Sequence, residues 1–231
     1  MRVAAGTSGF SYKEWQGSFY PDKLPAARML EFYAEHLPTV ELNNTFYRMP
    51  AEALMRGWES RSPESFRFVL KAPRSMTHIR KLSDCEEPLA RFVQVAGLLG
   101  SKLGPLLFQL PPTYPRNTDQ LGAFLGALPA GVRAAFEFRH PSWYDESTFT
   151  VLRGHNAALC AADVDDIEPQ PIVATADFGY LRLRRLDYTR EQLESWAGAL
   201  RQQPFAEAYV FFKHEVKAPA LAREFNAFFR G

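Results

Sequence analysis

In AAFEFRHPSWYDE (134–146), Glu137 and Arg139 interrupt an apolar run at alternate positions, and His140-Pro141 ends it. Charged side chains are almost never fully buried unless paired. A strand carrying a carboxylate and a guanidinium on one side, just before it stops, is therefore expected to build a site. A carboxylate so placed can act as general acid or base, and a guanidinium can hold carboxylate or phosphate through two parallel hydrogen bonds. The pattern recurs along the chain. TVELNNTFY (39–47) sets Glu41 and Asn43 against Val40 and Leu42, and FRFVLKAP (66–73) carries Lys71 at its exit. PLLFQLPP (105–112) holds Gln109 opposite in parity to Phe108 and Leu110, and AALCAAD (157–163) ends in Asp163. GYLRLRR (179–185) alternates Tyr180, Arg182 and Arg184 with Leu181 and Leu183, and EAYVFFKHE (207–215) ends in Lys213-His214.

These residues suggest a division of labour. Glu137 is the candidate general acid or base, Glu41 its partner, and Arg139, Arg182 and Lys71 an anion clamp. Thr7, Ser8, Asn43, Tyr47, His78, Gln109, His140, Trp143, Asp163 and Lys213 complete the expected substrate-binding set. Arg48, Arg74, Arg80 and Arg184 add to a cationic excess near the strand ends, opposed by Asp165 and Asp166. The alternative is that Glu41 and Glu137 are ion-pair partners of Arg139, Lys71 or Arg182 and the loop arginines are solvated. No metal or other cofactor is expected. Glu41, Glu137, Asp163, His140 and His214 have the right chemistry for ligands, but Arg139, Arg182 and Lys213 would crowd a divalent cation with like charge. Tyr12, Trp15, Phe19 and Tyr20 of the first loop either wall a pocket for a ring or form a small satellite core.

The elements that must position these groups can be read from periodicity. Eight short apolar runs, at 3–10, 39–47, 66–73, 105–112, 133–141, 157–163, 179–185 and 207–215, alternate with segments whose apolar residues recur at helical spacing. Helix starts are marked at Asn117-Thr118-Asp119 and at Thr189 with Glu191 and Gln192 following. Strand–helix alternation implies parallel strands joined by right-handed crossovers. Eight such units approach the size of a (β/α)8 barrel, about 250 residues. The expectation is one α/β domain over 1–231, a TIM-type barrel with an irregular connection (167–178) between strands six and seven. A doubly wound open sheet is the alternative. In a barrel the polar parity faces the lumen and opens at the C-terminal mouth.

Several of these stretches resemble the YecE-like family, domain of unknown function 72. They are GTSGFSYKEWQGSFYP (6–21), TVELNNTFYRMP (39–50), FRFVLKAPRSMTH (66–78), LLFQLPP (106–112), FEFRHPSW (136–143) and YLRLR (180–184). The resemblance covers nearly the whole chain and implies a TIM-barrel fold; it does not imply a reaction. Barrel similarity to xylose-isomerase-like enzymes, apurinic endonucleases among them, is what raises a nucleic-acid reading for this family. The family pattern has His-Gly after strand seven and an Asn pair after strand eight. Here those places hold Arg184-Arg185 and Lys213-His214, which points to a different ligand or sub-type.

Bulk composition narrows the classes. The 231 residues are 46% hydrophobic and 14% aromatic with net charge +1, so no global field argues for a nucleic-acid coat and any electrostatic specificity is local. No window approaches the ~20 apolar residues of a membrane span, and the N-terminus lacks a signal-peptide core. Cys85 and Cys160 read as reduced thiols of a cytoplasmic protein. The leading expectation is an enzyme acting on a small anionic, phosphorylated or carboxylated molecule. The alternatives are a nucleic-acid-processing protein and a non-catalytic binding module. Nothing in the sequence addresses oligomeric state.

Overall fold

The computed structural model describes residues 1–165 and 167–230. Eight parallel strands close into a barrel in sequence order: β1 (Arg2–Ser8), β2 (Thr39–Leu42), β3 (Arg67–Lys71), β4 (Leu103–Gln109), β5 (Ala134–Glu137), β6 (Ala158–Asp163), β7 (Phe178–Leu183) and β8 (Glu207–Phe212). Pairing of β1 with β8, from Arg2↔Glu207 to Thr7↔Phe212, completes the cylinder. Closure leaves no sheet edge exposed and excludes the open doubly wound sheet.

Among the described residues seven α-helices surround the barrel: α1 (Met29–His36), α2 (Glu52–Ser60), α3 (Glu86–Ala96), α4 (Thr118–Gly126), α5 (Glu146–Gly154), α6 (Arg190–Arg201) and α7 (Ala218–Ala227). The expected start signals operate. Asn117 accepts from the Gln120 amide, and Thr189 with Gln192 forms a reciprocal capping box that satisfies two otherwise orphaned donors. The segment after β6 forms no helix among its described residues. It folds back along β6 instead: the Gln170 amide donates to Ala162 O, and Thr175 Oγ1 bridges the Ala157 carbonyl and the Leu159 amide.

Period-two alternation separates two cores. Val40, Leu42, Phe68, Leu70, Phe108, Phe136, Leu181 and Phe212 belong to the core shared with the helices. Val69, Leu107, Ala135, Cys160, Phe178, Tyr180, Tyr209 and Phe211 fill the lumen. The strands end earlier than the apolar runs imply, so Asn43, Arg139 and His140 lie just beyond β2 and β5. Both cysteines are buried and free. Among the described residues no helix is long and apolar enough to cross a membrane.

Close approach of β1 to β2 sets one local requirement. A Cβ on Gly6 would sit 1.9 Å from the Thr39 carbonyl oxygen, a backbone atom that cannot swing away, whereas a Cβ on Gly57 in α2 meets nothing within 4 Å. Gly6→Ala should therefore lower the melting temperature sharply or prevent folding. Gly57→Ala should stabilise by about 0.5–1 kcal/mol through helix propensity. Paired denaturant titrations check both signs.

Candidate active site at the barrel mouth

The apolar lumen is capped by one polar layer, and Arg182 is its centre. The side chain is fully buried on β7, and its two Nη atoms point to two strands. Nη2 donates to Glu41 Oε1 at 2.8 Å, and Nη1 donates to Glu137 Oε2. Glu41 is further held by Ser8 Oγ (2.8 Å), Asn43 Nδ2 (3.0 Å) and the Tyr180 hydroxyl (2.6 Å). Glu137 is less enclosed. Its Oε1 receives a long 3.4 Å contact from Arg139 Nε, and the residue lines the open cavity above. Gln109, paired in register with Glu137, accepts from Lys71 Nζ at 2.8 Å through Oε1. Its Nε2 lies on the Glu137 side and is buried without a well-formed hydrogen bond.

Burial alone would raise both carboxyls. The Arg182 charge and the hydrogen bonds from Tyr180, Arg182 and Ser8 together overcome it at Glu41, holding it below the ordinary carboxylate range, and the Arg182 and Arg139 charges with hydrogen bonding from Gln109 and Arg182 pull Glu137 down to about 2. Both are thus ionised at neutral pH. Lys71 moves the other way: burial first, then the neighbouring Arg182 charge, lowers it to about 8. Its Nζ sits 4.0 Å from the centre of the Phe46 ring. That ring is held in place because Thr45 Oγ1 ties the turn after β2 to the Leu42 and Lys71 carbonyls. His78 packs edge-on against Phe46, and burial together with Lys71 and Arg139 depresses it to about 4, so it is neutral in the physiological range.

One lumen step above this layer stand Arg139, Arg184 and Lys213, each two residues beyond a lumen-facing position. They line a cavity of about 770 Å³ with Glu137, Gln170, Ile167, Leu186, His214 and Glu215. The volume is within the range of small-molecule sites. Among the described residues neither Arg184 nor Lys213 meets a carboxylate at ion-pair distance, and Arg184 Nε is buried without a partner. Burial and the nearby Arg182 charge lower the pKa of Arg184, and burial and Arg184 lower that of Lys213.

Other expected site residues are placed elsewhere. Thr7 faces α1, bonding the Tyr33 hydroxyl and Gly9 O. Asp163 has the parity of Leu183, not of Arg182; it is buried on the helix side under Arg185 Nε (2.6 Å) and Trp196 Nε1. Trp143 is buried against Phe138, rings 4.4 Å apart and nearly parallel, and donates to Tyr114 O. His140 caps the 3₁₀ turn Pro141–Trp143 and His214 caps the turn into α7. Tyr47 is 82% exposed at the rim. Arg182 itself, expected in an anion clamp, has both Nη atoms occupied by carboxylates. Trp15, Phe19 and Tyr20 pack with Phe32 and Tyr33 as part of the main core between barrel and helices, not as a separate satellite core. Asp166, expected near the mouth, lies outside the described residues. Among those described, no three His, Cys, Asp or Glu side chains converge as metal ligands would.

The family described as "Protein of unknown function DUF72" matches residues 4–230. The chain belongs to this family. It is similar to the UPF0759 protein YecE of Escherichia coli K12, 33% identical over 128 residues, covering 54% of this chain and 47% of that protein. It is also similar to the UPF0759 protein YunF of Bacillus subtilis 168, 30% identical over 169 residues, covering 66% and 57%. The chain thus spans about half the length of the curated relatives it matches. A DUF72 family crystal structure from Thermotoga maritima superposes with TM-score 0.88 at 26% identity, covering both chains fully. One from Enterococcus faecalis V583 has TM-score 0.79 at 20% identity, covering 100% of this chain and 98% of that one; at that identity the likeness concerns the fold.

Within this DUF72 barrel, alternation sets Tyr180 and Arg184 on the parity of Arg182 and counts Arg184 among the mouth cations, but it assigns neither of them a partner. Phe46 gave no such signal, because the turn after Leu42 decides where its ring lies. The Glu41–Arg182–Glu137 bridge has a direct consequence. Arg182→Met should cost about 3–5 kcal/mol at pH 7, because two buried carboxylates lose their counter-charge. In wild type both carboxyl pKa values are depressed, so their contribution is present above the unfolded value and is lost as pH falls from about 4.5 toward 2. In the variant the unpaired carboxyls titrate higher, and protonation relieves the cost. The stability gap between the two proteins should therefore narrow from pH 7 to pH 5; a constant gap in paired denaturation curves would contradict the bridge.

Proposed function

We propose that this DUF72 barrel is an enzyme that binds a small phosphorylated or carboxylated molecule at its C-terminal mouth. The observation that carries the reading is the trio Arg139, Arg184 and Lys213, which lines one cavity with few carboxylates to oppose it. Like charges in a partly dry site repel, since Coulomb energy rises as the local dielectric falls. A bound anion relieves that repulsion, and a guanidinium engages carboxylate or phosphate bidentately. The cationic excess lies one step above the layer that contains Arg182, so the ligand's charged end is assigned to the upper ring.

The two carboxylates take a different part from a simple acid–base pair. Glu41 accepts from Ser8, Asn43, Tyr180 and Arg182, which makes it a positioning group. Glu137 faces the cavity, but a carboxyl near 2 is a poor proton acceptor at neutral pH, where efficient catalysts titrate close to the working pH. Its role in this reading is to orient a ligand hydroxyl or amine. Nucleic acid is a weaker fit: the cations gather in one cavity, while Trp15, Phe19, Tyr20 and Trp143 are engaged in protein contacts.

The test is thermal melting in phosphate, sulfate and chloride at matched ionic strength, with Arg139→Met and Arg184→Met beside the wild type. Anion at about 100 times its dissociation constant should add about 2.7 kcal/mol of stability, and either substitution should abolish most of that increment. Equal responses to phosphate and chloride in the wild type would overturn the reading.

A further inference from the structure

The cationic ring holds a ligand's charge, but the reading above leaves open which group meets its reactive atom. Both carboxylates of the polar layer are tied to Arg182. Cys160 lies deep in the lumen, fully buried, and burial holds its thiol far above the ordinary range. His78 is neutral and bonded to Thr77 Oγ1.

Lys71 differs from all of these. It ends β3 on the lumen parity, and among the described residues its Nζ donates to no carboxylate: its hydrogen bond goes to the neutral amide oxygen of Gln109. The apolar face of Phe46 covers it at 4.0 Å. The residue is 8% exposed, so it is desolvated without being sealed. Gln109 links it to Glu137 on the cavity wall through the β4–β5 register. The buried Gln109 Nε2 lies on the Glu137 side, so the amide that anchors the amine is itself held between Lys71 and that carboxylate.

We propose that Lys71 is a nucleophilic amine that forms an imine with the carbonyl carbon of an anionic aldehyde or ketone seated in the mouth. The proposal rests on the anion-binding reading and adds the class of reacting group. Desolvation and an adjacent cation are the two means by which proteins make a lysine nucleophilic, and both act here. With the amine near 8, about a tenth is neutral at pH 7, against roughly one part in a few thousand for an ordinary lysine. The neutral Nζ lone pair attacks the carbonyl carbon while the C=O π pair moves to oxygen. The oxygen takes up a proton and the nitrogen loses one, giving a carbinolamine. Loss of that hydroxyl as water, with a further proton taken up by oxygen and the nitrogen lone pair forming the C=N bond, leaves a protonated imine. No oxidant or reductant enters. Gln109 Oε1 holds the amine in place, and the Arg139–Arg184–Lys213 ring is placed to hold the carboxylate or phosphate.

The experiment is reductive trapping on the whole chain. Pyruvate, glyoxylate and dihydroxyacetone phosphate are each supplied with sodium cyanoborohydride at pH 7, followed by intact mass and peptide mapping. The expected result is one adduct per chain on Lys71 with at least one probe, about tenfold or more above any other lysine. Lys71→Arg, which keeps the charge and the Phe46 contact, should remain folded and show no such adduct. Arg184→Met should still label at Lys71, at a several-fold higher probe concentration. Labelling spread evenly over surface lysines, or no adduct with any probe, would overturn the proposal. The phosphate-dependent melting increment separates the two ideas: if it is present while Lys71 stays unlabelled, the imine fails and the anion site stands.

Discussion

Arg182 cannot be buried in the lumen of this barrel without two carboxylates, and that requirement organises the mouth. Desolvating a guanidinium costs several kcal/mol, repaid only when its geometry is good and its neighbours' remaining polar atoms are satisfied. β2 and β5 supply Glu41 and Glu137 from opposite sides, and β1, β2 and β7 supply Ser8, Asn43 and Tyr180 to complete Glu41. The bridge links strands far apart in sequence, so it fixes their relative placement at the height where the lumen stops being apolar. Everything above it inherits that placement: Arg139 is two residues beyond Glu137, and Arg184 two beyond Arg182.

The charge count follows from the same bridge. One guanidinium against two carboxylates leaves the layer itself slightly negative, which favours cations nearby. Yet Lys71 is turned toward Gln109 and Phe46 and not toward either carboxylate, and Arg139 makes only one long contact to Glu137. The result is a stratified site: a hydrogen-bonded floor around Arg182 and a cationic rim around an open cavity. A floor whose carboxylates are held by Arg182 suits positioning, and a rim of under-partnered cations suits ligand capture.

Much of this was legible in the sequence because strand parity is strict. Alternation alone placed Glu41, Glu137, Arg139 and Arg182 in one lumen and Val40, Phe136 and Leu181 against the helices, and the irregular link after β6 was visible as missing helical periodicity. Polarity misleads where parity does not, at residues that are polar for a different reason. Asp163 ends its strand on the outward side because Arg185 and Trp196 receive it there, and Thr7 bonds the Tyr33 hydroxyl of α1. Trp143 looks like a stacking platform in sequence but packs on Phe138. Partner choice was the least legible feature. Nothing in the spacing says that Arg182, and not Lys71, takes both carboxylates, because that depends on side-chain reach across the lumen.

The central claim is that Arg182 keeps both lumen carboxylates ionised. Carbon-detected NMR of the glutamate side-chain carboxyls, assigned with Glu41→Gln and Glu137→Gln, measures this directly as pH is lowered while the protein remains folded. The account predicts that Glu137 stays at the ionised position toward pH 3 and that Glu41 titrates below the ordinary carboxylate range. Protonation of either carboxyl at or above pH 5 would mean that burial outweighs Arg182, and would contradict the account.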